Sequence, residues 1–489
     1  MKKNIVILTI CLLLVGAVIL CACSENTSRD PIKTDLTGAT VSDNGGMAVR
    51  YGNYVYFING FAGETASNAF GEVVRGSICR TTLKNGVPDY KSVQTIVPKN
   101  AFGEDTTYGG IYIVNDYIYY NTTSVDKNSD REYKTGEGIL MRTSIDGSKT
   151  ETVKEFDDND IVLYAGDDSK FLAYVYDNYA YLVNSADNSI TLLSKTNRKN
   201  PTDERQTVVA YKFAGDYFVY TMYNYADESN YSADYIVWAC NLKTGKQSAI
   251  MSSDIYNGNS DRNVLYTTTL TDVIPTNNGF ILYYSKKGND NGKNDGFYSC
   301  EFNGDALAFD KAKEVRYTYE TTVNAYTKFT RLSNGYTLAF NSQLFDVFAA
   351  DGGKVENEDG SYLRLNFEKA VTIIDVVETD DEVYAYYLLD SKFYYIRLFD
   401  KAENALVQSS ADAVAFFAGK YNSSYVSYDF IDGIIYYLND DMEDNAYYYA
   451  LPDFSTVTPS TNISTGKILG IISETDLITL IGEEEKSES

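Results

Sequence analysis

Short apolar or alternating runs recur along the chain, each closed by turn-forming residues. Residues 110–147 show the unit well. Ile111 to Val114 is followed by Asn115-Asp116, then by Tyr117 to Tyr120, and after a polar insertion by Ile139 to Ser144, closing on Asp146-Gly147. Runs rich in Tyr, Ile and Val between Asn-Asp and Asp-Gly turns predict antiparallel strands in a meander. Eight such units align on their second strands, at Tyr54, Tyr117, Phe171, Tyr217, Phe280, Tyr336, Val383 and Ile434, 46 to 63 residues apart. Third runs follow each, among them SICRTTL, YIVWACNL and LFDVFA, and a weaker fourth run follows several, as at Ser92–Val97.

Four short strands repeated at this period, with no helix-period stretch, predict an all-β fold: a single β-propeller of four-stranded antiparallel blades. Eight units favour eight blades and leave seven open, because unit 3 is compact and a hairpin at Lys467–Ser473 and Leu477–Ile481 has no obvious partner. The 45 tyrosines, against a single Trp238, are expected mainly as packing between blades.

The remainder divides into short flanks. Lys2, Lys3 and the apolar run Ile5–Leu20 have the form of a signal peptide, residues 1–22. Leu20-Cys21-Ala22-Cys23 resembles a bacterial lipobox, which implies cleavage before Cys23 and lipid on its thiol. Residues 23–44 read as a polar linker, 45–482 as the propeller, and 483–489 as a charged tail. The expected location is extracytoplasmic, held on the membrane by lipid at a Gram-positive-type cell surface.

Charge and composition exclude several functions. The formal charge is −26, and removing residues 1–22 takes away two lysines and no acids, giving −28. Nucleic acid, which demands a basic patch, is excluded as a partner. Histidine is absent, which removes Ser-His-Asp and Cys-His catalysis and His-ligated zinc. Cys79, Cys240 and Cys300 lie far apart with no C-x-x-C pair, and read as small core residues.

Two motifs carry a resemblance. LSNGYTLAFNSQLFDVFAADGGK (332–354) is similar to the TolB-like propeller repeat. GILMRTSIDGSKTETV (138–153) and GSICRTTLKNG (76–86) resemble the repeat of bacterial propeller lipoproteins of unknown function, with Arg80 and Arg142 four or five residues before the turn. The resemblance implies a binding or scaffold propeller and carries over no catalytic residue.

Turn lengths distinguish the two faces of the expected ring. Turns between strands 1 and 2, and between 3 and 4, are mostly tight, whereas connections between strands 2 and 3 are long at 59–75, 121–137, 223–234, 285–295 and 439–445. Long insertions confined to one face mark where repeat proteins bind. Tyr223, Asn224, Tyr225, Asp227, Glu228 and Tyr231 are the candidate ligand contacts, pairing aromatic faces with amides and carboxylates. Asp126, Asn128, Asp130 and Glu137 match positions 1, 3, 5 and 12 of a calcium loop, and are the candidate metal ligands in a chain with no other cofactor signal. Against calcium, Arg131 stands where that loop needs glycine. Ser124-x-x-Lys127 and Lys134-Thr135-Gly136 fall in one insertion and cannot form a transpeptidase site. The expected function is therefore a binding or protein-interaction module for a protein, peptide or neutral glycan. The alternative is a glycan-active surface enzyme using loop carboxylates.

Overall fold

A computed structural model of the chain describes residues between 27 and 472, leaving out chiefly connections, the longest of them 98–109, 194–205, 253–265, 418–427 and 452–466. The expected second strands are all present: Tyr54–Ile58, Tyr117–Val125, Leu172–Tyr176, Tyr217–Asp227, Gly279–Gly288, Thr337–Phe340, Glu382–Leu389 and Ile434–Leu438. Each pairs antiparallel with one strand before it and one after it, so the four core strands of each unit come from one contiguous piece of chain. Tight turns permit this. Asn85 and Gly86 both take positive φ, 55° and 81°, and so close the hairpin Ile78–Lys84/Val87–Val97 with the hand that matches strand twist.

The units are antiparallel sheets of four or five strands, arranged as a β-propeller. Seven lie between residues 41 and 417. An eighth sheet, Tyr428 to Ile472, stands between the seventh and the first, described by its backbone and by Asp429, Ile431 and Tyr436. Its outer strand is Lys467–Ile472, paired with Tyr447–Leu451. The first half of the expected orphan hairpin thus completes unit 8; Leu477–Ile481 and the tail 483–489 lie outside the described residues.

A propeller blade buries both faces against its neighbours, and the core is accordingly divided among the seams. One cluster joins units 1, 2 and 8, through residues such as Val55, Ile118 and Ile431. Others join units 2 and 3, 3 and 4, 4 and 5, 5 and 6, and 6 and 7. Aromatic pairs staple successive seams: Phe156–Tyr174 at 5.4 Å, Tyr164–Phe213 at 4.0 Å, Tyr217–Phe280 at 5.2 Å, Tyr283–Phe329 at 4.3 Å and Phe367–Tyr387 at 5.0 Å between ring centroids. Such pairs add about 0.5–1.5 kcal/mol each beyond their buried area. The tyrosine-rich composition is explained here.

The first core strands of the eight units are Ala48–Tyr51, Tyr112–Val114, Ile161–Ala165, Gln206–Ala214, Tyr266–Thr276, Lys328–Arg331, Thr372–Glu378 and Tyr428–Ile431. Those of units 2 and 3, 4 and 5, 5 and 6, 7 and 8, and 8 and 1 touch directly, so first strands form the wall around the axis.

The segment expected as a polar linker is laid against the ring from residue 27 onward. Thr27–Ser28 adds a fifth strand to the outer edge of unit 2, opposite Thr150 and Lys149. Ile32 N donates to Asp146 O at 2.9 Å, and Ile32 and Leu36 pack on the first core cluster. Val41–Ser42 then pairs with Ala48–Tyr51 on the inner side of unit 1. The buried Arg80 supplies a physical reason: its guanidinium donates to Lys33 O at 2.8 Å and Thr34 Oγ1 at 2.6 Å. Without the strap those two donors would lose these acceptors.

Candidate binding face and axial wall

Successive turns of a meander alternate between the two ends of its strands, so the 2–3 turns and the links between units share one face. That face carries the protruding chain. In unit 2 the strands Tyr117–Val125 and Tyr133–Ser144 run on until Val125 stands opposite Tyr133. In unit 4, Tyr217–Asp227 and Asn230–Asn241 continue to the pair Asp227–Asn230. In unit 5, Gly279–Gly288 and Gly296–Asn303 are similarly long. Unit 1 bears a separate small hairpin, Ala66–Asn68 with Gly71–Val73. By contrast the same connection takes only residues 177–178 in unit 3, 341–343 in unit 6 and 390–391 in unit 7.

Where described, these are paired ribbons rather than loops, which corrects the sequence expectation for 223–227 with 230–234, for 121–125 with 133–137, and for 285–288. The reason is pairing. Asn, Asp and Ser suggested irregular chain, but the interleaved Tyr and Ile retain β propensity, and cross-strand partners are available along the whole length.

The candidate ligand contacts are brought together on one ribbon. Tyr223 stands opposite Tyr235, Asn224 opposite Asp234, Tyr225 opposite Ala233 and Asp227 opposite Asn230, with Tyr231 next in the returning strand. Glu228 lies outside the described residues, as do Cys23, Asp126, Asn128, Asp130 and Arg131. Glu137 falls within the strand Tyr133–Ser144. Among the described residues no group of three or more acidic or cysteine side chains is placed to hold a metal ion.

Sequence reading missed the charges on the axial wall. The innermost strands carry Lys212 in unit 4, Asp272 in unit 5, Lys328 in unit 6, Asp375 in unit 7 and Asp429 in unit 8. Burial raises the carboxyls of Asp272 and Asp375 above the usual range, while both lysines pull Asp272 down and Lys328 does so for Asp375. On the other side of the ring Tyr112 is pushed up by burial, then by the nearby Tyr211 and Asp429.

Two of these acids also join blades. Asp272 Oδ2 accepts from Phe329 N of unit 6 at 2.9 Å, and Asp429 Oδ2 accepts from Met47 N and Ala48 N of unit 1, both at 2.8 Å. Asp429 is pushed up to about 6, burial outweighing those hydrogen bonds and one with Asp43. The two carboxyls converge on Gly46, where a Cβ would stand 2.7 Å from an oxygen of each.

The motif residues behind the family resemblance are structural. Arg142 donates to Glu151 at 2.7 and 2.9 Å and to Ser185 O of unit 3 at 2.5 Å, and lies 4.0 Å from the Tyr117 ring centre. Arg80 repeats the arrangement over Tyr54 at 4.4 Å. Asp346 of the LFDVF run is buried against Arg364 and Tyr326. Away from the face, a groove of about 470 Å³ opens between the outer strands of units 3 and 4, lined by Leu192, Trp238 and Gln247 among others. The outer strand of unit 3, Ile190–Leu192, has three residues, and that of unit 4, Gln247–Ser252, has six.

No described protein family matches the sequence, and no curated protein does so. Among solved structures the chain is similar to a prolyl endopeptidase at 10% identity, with a TM-score of 0.41, over 82% of this chain and 55% of that one. It is similar to the dihydro-heme d1 dehydrogenase NirN at 12%, with a TM-score of 0.43, over 87% and 75%. An oligogalacturonate lyase from Vibrio parahaemolyticus matches at 10%, with a TM-score of 0.35, over 70% and 99%. The chain thus spans about half the length of the prolyl endopeptidase.

Proposed function

We propose that this protein is a lipid-anchored, extracytoplasmic binding propeller of the TolB-like kind, taking a protein, peptide or neutral glycan on the face that bears the raised ribbons. The observation that carries this is the asymmetry of the two faces. One is closed by turns such as Asn85-Gly86 and 145–148; the other raises ribbons from units 2, 4 and 5 above the short units 3, 6 and 7. Tyrosine-rich ribbons offer apolar area at roughly 25 cal/mol per Å² removed from water, and their amides and carboxylates give orientation. The overall negative charge favours neutral or cationic ligands.

The test is binding to arrays of neutral oligosaccharides and of peptides, comparing the wild type with Tyr225→Ala/Tyr231→Ala. Binding should weaken at least about tenfold, as expected when two aromatic contacts of about 1 kcal/mol each are lost, with the unfolding midpoint little changed. Ligand contacts that mapped instead to Asn85-Gly86 and Asp146-Gly147 would overturn the face assignment. Turnover of an arrayed glycan, abolished by one Asp or Glu change on the ribbon face, would establish the enzyme alternative.

A further inference from the structure

The N-terminal strap fixes more than itself. Thr27–Ser28 is hydrogen-bonded to the outer edge of unit 2, and the chain from Ile32 to Ser42 is tied down by backbone bonds to Asp146 and Gly52, by Arg80, and by strand pairing to unit 1. A tether that starts at residue 23 therefore has only four residues before it meets the ring. Fully extended they reach no more than about 14 Å. The far edge of the ring is more distant. Two blades of four strands, at about 4.8 Å between strands, already span at least about 30 Å, before the axial opening is added.

We propose that the propeller is mounted by the rim of unit 2, with its outer strands nearest the lipid surface, unit 6 farther from it, and the ribbon face not covered by the bilayer, because Thr27–Ser28 enters beside Lys149 and Thr150, next to the tight turn 145–148. This rests on the lipid anchor at Cys23 and adds to it a direction. A long flexible linker would let the ring present any side; the docked strap does not. The mounting also suits the proposed binding face, whose ribbons lie at the opposite end of the blade strands from the point of attachment and stay open to large ligands. The acidic ring gains little from anionic headgroups, so the contact is enforced by the tether and not by attraction.

The experiment uses the acylated full chain in vesicles carrying an energy-acceptor lipid, with a donor dye on a single introduced cysteine. Cys79, Cys240 and Cys300 are buried, so exposed thiols label selectively. Glu155→Cys places the dye on the outer strand of unit 2, and Asn366→Cys on the outer strand of unit 6; both positions are exposed. Donor emission should be lost at 155 and largely kept at 366. Inserting a Gly/Ser spacer of about 20 residues between Cys23 and Thr27, with a mean reach of about 25 Å, should erase that difference. Equal transfer from the two positions without the spacer, or greater transfer from 366, overturns the mounting while the anchor stands. A mass spectrum of the same preparation showing no acyl group on Cys23 overturns anchor and mounting together.

Discussion

Replacing Arg142 tests whether the repeated arginine holds the blades together. Its side chain is 5% exposed and faces Glu151, itself 16% exposed, while also donating to Ser185 O across the seam to unit 3. Removing one partner of a buried pair costs about 3–5 kcal/mol, because the other charge is left without compensation. Lys149 also contacts Glu151 and remains after the change, so part of that loss is offset; its own side chain is 53% exposed. Arg142→Ala is therefore expected to cost about 2–4 kcal/mol, and Lys149→Ala less than about 1 kcal/mol. Arg142→Met combined with Glu151→Leu should recover most of the loss, since an apolar pair leaves no orphaned charge. Guanidinium unfolding followed by Trp238 fluorescence reads the change, because the single tryptophan sits in the seam between units 3 and 4. Stacked units can open separately, so hydrogen exchange across 139–156 and 179–185 should report the same loss locally. Equal destabilisation by Arg142→Ala and Lys149→Ala would refute the argument.

Two further outcomes follow from burial. Asp429 is raised from 3.8 to about 6. A raised acid contributes stability that is complete below about pH 4 and lost as pH climbs through about 6, amounting to about 3 kcal/mol at 1.36 kcal/mol per tenfold change. Measured against Asp429→Asn from about pH 4 to pH 7, the wild type should lose stability by up to that amount; a pH-independent difference would contradict the assignment. Burial pushes Cys79 up to about 11, Cys240 to about 12 and Cys300 to about 11. A thiol reagent at about pH 8 should therefore leave all three unmodified in the folded domain and react with them in denaturant; rapid labelling of any of them without denaturant would show that the seam it occupies is open.

The strands were legible because their signal is local. Alternation and a turn dipeptide suffice to place Tyr117 or Phe280 at the start of a strand, whatever the rest of the chain does. Register over long distances left weaker marks. Lys467–Ile472 is separated from its partner Tyr447–Leu451 by fifteen residues, and nothing nearby announced that pairing. The ribbon at 223–234 was hidden by its polar residues, since a strand that rises clear of the blade has no core face to enforce an apolar pattern. The axial charges are single residues roughly a repeat apart, brought together only by the ring. Ile32 and Leu36 were too few to show that the strap docks. The Arg80 and Arg142 motif was visible, but its partners Thr34 and Ser185 come from other segments.

The seam between units 8 and 1 has a consequence for how such a ring evolves. The four core strands of every unit follow one another in the chain, with only Thr27–Ser28 added to unit 2 from outside it, and among the described residues no strand near one terminus is woven into the sheet at the other. Closure is instead a handshake of side chains and backbone, with Asp429 gripping Met47 and Ala48 and with Ile431 and Tyr436 in the shared core. A gene copying error that adds or deletes one unit would not have to rethread a mixed blade. It would need only to present an acceptable partner surface at this one joint, so the size of the ring is open to change by duplication while the joint stays the same.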